Sequence, residues 1–161
     1  MSKTRFTPEK IEWLDKDEVF VFGSNIQGEH VGGAAAFANK AFKAEMGYGF
    51  GFCDLACKTY AIPTCIRVWG DITEPFKVTK PFESVIQIKP FVDAFISDAN
   101  HFSYKTFYVT KIGCGIAGFK FNEIAELFRP CLDMDNVILP KEFVDYLEYV
   151  NKEYEKFSSK Q

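Results

Sequence analysis

The sequence predicts one α/β domain, a three-layer α/β/α arrangement on a mixed, mainly parallel sheet. Three observations predict it. Short β-branched and aromatic runs alternate with longer segments of helical period. Two of these runs stop at glycine-rich loops that open helices. The 161 residues, 47% of them hydrophobic, are enough for one buried core. No repeat, linker or low-complexity tract divides the chain, so residues 1–161 are expected to form one domain with its core between 18 and 157.

Thr7-Pro8-Glu9-Lys10 reads as an N-cap followed by proline in the first turn of a short helix through Ile11, Trp13 and Leu14. Glu18 to Phe22 is a buried strand ending at Gly23, and Gly33 to Met46 is an alanine-rich helix with Ala34, Phe37, Ala38, Ala41 and Phe42 on one face. Gly47 to Gly51 is a loop leading to a strand over Thr59 to Ile62 that Pro63 is expected to end. Arg67 to Lys80 reads as an irregular polar connection. A helical segment follows from Pro81, with Pro90 expected to break or kink it. Thr106 to Thr110 is the next strand and Asn122 to Phe128 the helix after it. Asn136 to Leu139 is a last strand, and Glu142 to Phe157 an amphipathic closing helix.

The net charge of −3 provides no general basic field, which argues against a long nucleic-acid partner but not against a small anion held by backbone amides. No run of 18 apolar residues exists and Met1 to Lys10 lacks a hydrophobic signal core, so no membrane span and a cytoplasmic location are expected. Cys53, Cys57 and Cys65 would give three of the four ligands a zinc site needs, in a spacing that fits no common zinc arrangement. Reduced thiols, with no metal and no cofactor, are the expectation.

Glycine placement is the most informative local feature. Seven of the eleven glycines lie in two strand-to-helix loops, Gly23 to Gly33 and Gly113 to Phe119. In open α/β sheets such loops expose amide N–H groups and helix N-termini beyond the carboxyl ends of strands, where anions bind. Neither loop is a Walker P-loop. The second reads G-x-G-x-x-G, but too late in the chain for the dinucleotide fold.

Phe22-Gly23-Ser24-Asn25 together with Gly113-Cys114-Gly115-Ile116-Ala117-Gly118-Phe119 resembles the macro-domain superfamily, whose members bind ADP-ribose, and most closely a small bacterial and phage branch. The order of elements from Val19 to Leu139 is also similar. The resemblance implies that Asn25 reaches the distal ribose. Gly23, Ser24, Gly32, Gly33 and Ala34 would hold the diphosphate from one side. Gly113, Cys114, Gly115, Ile116, Ala117 and Gly118 would wrap it from the other, with Phe119 stacked on the ribose. The sequence departs from the family in three places. The upstream adenine Asp is missing, Ala34, Ala35 and Ala36 stand where hydrolases carry an acidic residue, and Lys120 replaces a proline.

Single residues keep two readings. Asn25 is a ribose contact or a loop cap. His30 is an acid–base group beside a phosphate or a solvated loop residue. Cys114 is a nucleophile activated by loop amides and paired with His30, or a small packed thiol. Asp54 is the nearest carboxylate to replace the missing ones, or a loop aspartate. Phe50 and Phe52 are an adenine wall or a core edge, and of the loop aromatics Phe119 is expected to stack on ligand and Phe121 to join the core.

The function these features imply is binding of ADP-ribose or a related phosphate-containing nucleotide, free or carried on a modified macromolecule. The alternatives are a hydrolase of an ADP-ribosyl or nucleotide-phosphate bond, and an assembly module that has lost its ligand.

Overall fold

The computed structural model describes residues 3–160. Strand β1 (Glu18–Asn25) lies at the centre of a six-stranded sheet, and its EVFVF run is buried because helices cover both faces. Strands β3 (Thr59–Trp69) and β5 (Thr106–Val109) flank it, both parallel to it, and β6 (Val137–Ile138) continues the parallel order beyond β5. Two antiparallel partners share the outer edge of β3, β2 (Gly51–Phe52) near its start and β4 (Lys77–Pro81) near its end.

Alternation along β1 separates the layers. Phe20 and Phe22 face helix α1 (Gly33–Phe42), packing with Ala35 and Ala38, whose small side chains let the helix approach closely. Val19 and Val21 face the opposite cluster, covered by α2 (Lys89–His101), α3 (Phe121–Leu127) and α4 (Lys141–Ser159). There Phe107 meets the ring of Phe95 edge-on at 5.5 Å, and Phe95 meets Tyr60 at 5.2 Å, in a mesh that offsets ring quadrupoles. The Tyr60 hydroxyl, carried into this core, donates to Asp98 at 2.5 Å.

Several expectations are corrected. Residues 7–14 are not helical. The Thr7 hydroxyl donates to the carbonyls of Val109 and Ile138 at 2.6 and 3.1 Å, so the segment is tied to the sheet end instead of capping a helix. Pro63 does not end β3. It falls between Ala61, the last residue of β3 paired to β2, and Cys65, the first paired to β4, where a missing N–H breaks no ladder. The stretch 67–80 is irregular only over residues 70–76; on either side lie the end of β3 and β4, paired antiparallel. Pro90 does not kink a helix; it stands in the first turn of α2, where its lack of an N–H costs nothing, after a single 3-10 turn at Val85–Gln87. On α1 it is Ala35 and Ala38 that are buried, while Ala34 and Ala41 are exposed.

Phe107 is fully buried at the centre of the aromatic mesh. Phe107→Ala is expected to lower unfolding free energy by about 3–5 kcal/mol. Trp13→Ala, at an exposed position, should stay within about 0.5 kcal/mol of the parent. Urea denaturation of both variants checks this.

Candidate functional site

Because β1 and β5 are neighbouring parallel strands, the loops that follow them leave the sheet at the same edge. The backbones come close enough that a methyl on Gly23 would sit 3.4 Å from the Gly113 nitrogen. Further out, Ile116 arches over the start of α1, its Cδ1 3.3 Å from where side chains on Gly32 and Gly33 would begin. Between the loops lies a cleft of about 430 Å³, within the range of small-molecule sites.

From the first loop, Gly23, Ser24, Asn25, Gly32, Gly33 and Ala34 line this cleft; from the second, Gly113, Gly115, Ile116 and Ala117 do. The amides of Gly33, Ala34 and Ala35 precede the first α1 ladder bond, from Ala36 N–H to the Gly32 carbonyl, and no side chain caps them. Across the cleft, the N–H groups of Gly115, Ile116 and Ala117 have no acceptor among the described residues. Two sets of unpaired donors, one with a helix dipole behind it, thus border one space.

The first loop is held by side chains. Asn25 accepts from the Glu29 N–H at 2.8 Å and donates to the Glu29 carbonyl at 2.7 Å, closing the turn as a two-point clamp. Ser24 donates to the Gly49 carbonyl. Gln27 pairs with both backbone groups of Arg67, at 2.8 and 2.9 Å, extending the β1–β3 ladder beyond the end of β1. Gly28 has φ of +71°, and a Cβ there would overlap the Tyr48 amide, while one on Gly49 would overlap the carbonyls of Asn25 and Ile26. The Gly47–Gly51 stretch therefore packs backbone on backbone against the first loop.

The other predicted residues are placed differently. His30 is 4% exposed, edge-on to Phe22, with Nε2 2.9 Å from the Glu45 carbonyl. A carbonyl only accepts, so Nε2 carries the proton and Nδ1 is left as a buried acceptor without a partner. Burial pushes this imidazole below its ordinary pKa, against the opposing pull of the Glu45 and Tyr48 carbonyls. Cys114 packs against the opposite cluster from Phe22, with its Sγ 3.5 Å from the Ile112 carbonyl, and burial raises its pKa. The two sit on different faces of the sheet and do not form a nucleophile–base pair, nor do loop amides activate the thiol.

Asp54 accepts from the amides of Lys58 and Thr59 and from the Thr59 hydroxyl, capping the turn into β3 away from the cleft. Phe119 does not line the cleft; it packs on the large core, while Phe121 is half-exposed against Tyr146. Gly118, with φ of +72°, turns the chain after the cleft without lining it. Phe52 lies in the aromatic core and Phe50 outside it against Phe91.

Sequence reasoning missed Glu29, Arg67 and Thr79, which close one end of the cleft. Arg67 Nε donates to Glu29 at 3.0 Å and Nη1 to the Thr79 hydroxyl at 2.9 Å, and Lys77 pairs with the other Glu29 oxygen. Hydrogen bonds from Lys77 and then Arg67 hold the Glu29 carboxyl below its usual range. The β3–β4 register pairs Arg67 with Thr79, and the loop after β1 carries Glu29 to them, so no local signal announces the group.

Fold and cleft define a class, an open-sheet α/β protein with a cleft between two glycine loops at the carboxyl edge of its central strands. Neither a family model, nor a curated protein, nor a solved structure matches the chain. Among the described residues no helix is long and apolar enough to cross a membrane.

His30 makes a pH prediction. Its folded pKa lies below the ordinary 6.5, so just below that pH the unfolded chain binds the proton first. Its contribution to stability is complete above 6.5 and declines as pH falls towards the folded value. Urea midpoints between about pH 6.5 and pH 5 should fall for the parent, and His30→Gln should remove that part of the slope.

Proposed function

We propose that the protein binds ADP-ribose or a closely related nucleoside diphosphate in the cleft between its two glycine loops, in the manner of a macro domain. The observation that carries this reading is the convergence of six unpaired amides, Gly33 to Ala35 and Gly115 to Ala117, on one cleft. A diphosphate presents several oxygens that need donors from both sides, and backbone amides supply them without a net charge on the chain. The resemblance of the F-G-S-N and G-C-G-x-A-G-F segments supports the same ligand. The negative charge of the whole chain does not oppose it, because the donors are local.

Binding is favoured over hydrolysis by the state of the lining carboxylate. Glu29 is the cleft's acidic side chain among the described residues, and its charge is engaged by Arg67 and Lys77, which makes it a poor general base. His30, Asp54 and Cys114 lie outside the lining. Asn25, whose amide clamps Glu29, contributes to the ligand chiefly by shaping the loop.

Titration calorimetry is expected to give a Kd for ADP-ribose of about 1 µM or tighter, near −8 kcal/mol. Gly115 has room for a side chain and no left-handed φ. Gly115→Val should therefore keep unfolding free energy within about 0.5 kcal/mol of the parent. It should weaken ADP-ribose at least about tenfold by covering the amides, about 1.4 kcal/mol. No heat of binding with the parent protein, or undiminished affinity in the variant, overturns the reading.

A further inference from the structure

The β3–β4 hairpin carries the cleft wall outward. Strand register pairs Cys65 with Pro81, Arg67 with Thr79 and Trp69 with Lys77. Alternate residues of a strand share a face, and contacts confirm the face here. Arg67 reaches Thr79, Arg67 and Lys77 both reach Glu29, and the Lys77 ammonium stands 5.6 Å from the Trp69 ring centre. Cys65, Arg67 and Thr79 line the cleft. The next cross-strand pair on that same face, Trp69 and Lys77, lies beyond it, with Trp69 72% exposed.

An exposed indole in this place is not accounted for by folding. It lies outside both core clusters, and at the turn its neighbours Ile72 and Phe76 are also exposed. On this face Arg67 and Lys77 set two cations against the one carboxylate of Glu29, and Asp71 and Glu74 follow in the turn. Trp69 lies two steps along β3 from Arg67, about 7 Å at the usual strand rise. Cation then ring, at that interval, suits a phosphate followed by a nucleobase, the repeating chemistry of a nucleic-acid strand.

We infer that Trp69 and Lys77 form an outer subsite, contiguous with the cleft, that takes the nucleobase and phosphate of one nucleotide attached beyond the group in the cleft. The ligand is then a nucleotide-modified end of a single strand. The acidic chain offers no long basic track, so it is the end and not the length of the strand that binds. The indole face that Lys77 does not cover accepts any base, and the guanidinium and ammonium, paired with Glu29, border the phosphate position. This rests on the ADP-ribose reading of the cleft.

The test uses the whole chain and three ligands: ADP-ribose, ADP-ribose joined to the end of a short single-stranded oligonucleotide, and ADP-ribose joined to a peptide. Trp69→Ala is expected to leave the Kd for ADP-ribose unchanged and to weaken the oligonucleotide conjugate at least about fivefold, the loss of one stacked base. Trp69→Phe should restore most of that loss. In a Trp13→Phe background Trp69 is the remaining tryptophan, and its fluorescence should be quenched by the oligonucleotide conjugate but not by ADP-ribose.

If ADP-ribose binds and Trp69→Ala changes neither conjugate, the subsite is overturned while the cleft reading stands. Equal weakening of the peptide conjugate overturns it in favour of a protein partner. If ADP-ribose itself does not bind, the cleft reading fails and the subsite falls with it.

Discussion

The cleft depends on how a glycine-rich loop is kept in one shape. Residues 26–33 include three glycines, which lose more conformational freedom on ordering than any other residue. The two-point clamp from Asn25 to the Glu29 peptide offsets that cost at the loop's neck. Around it, Ser24 bonds to Gly49, Gln27 borrows the backbone of Arg67, and the His30 ring wedges between Phe22 and the Glu45 carbonyl. Each contact is to backbone or to a buried ring. The loop is therefore fixed from behind, and its amides at the start of α1 remain unpaired at the front.

The same arrangement lets a chain of net charge −3 present local hydrogen-bond donors at the cleft. Donors come from peptide groups, whose dipoles need no formal charge and carry no long-range field. Formal charge enters at one end of the cleft, where Glu29 is bracketed by Arg67 and Lys77. The carboxylate is held ionised by its partners and in turn orients the guanidinium that faces the cleft. Removing any one of the three would leave the others imperfectly paired in a half-buried place, so they act as a unit.

Residues that look chemically active in isolation have structural duties. His30 is a neutral ring filling the α1 side, Cys114 a thiol whose pKa burial raises, and Asp54 a turn cap with three donors. Conversely, Arg67 and Thr79 looked like connecting residues because the hairpin they belong to has no strong strand signal: it is polar, charged and half-exposed along an edge. Edge strands of this kind are specified by pairing with a partner, not by local preference. The helix expected at residues 7–14 fails for a related reason, since Thr7 finds better acceptors in the sheet than in its own first turn.

What the sequence determined by itself was the layering and the two loops. EVFVF and TFYV can only be buried strands, GAAAFANKAF only a helix close to a sheet, and the glycines that follow the strands mark where backbone must turn or approach backbone. These are local properties of residue type and period, and they survive whatever the chain packs against. What tertiary structure alone decided was which side chains enter the cleft. Asn25, Ser24 and His30 turned to neighbouring backbone, and Phe119 turned to the core. Arg67, Thr79 and Glu29 came together across as many as 50 positions of sequence, because strand register places residues that no local pattern relates.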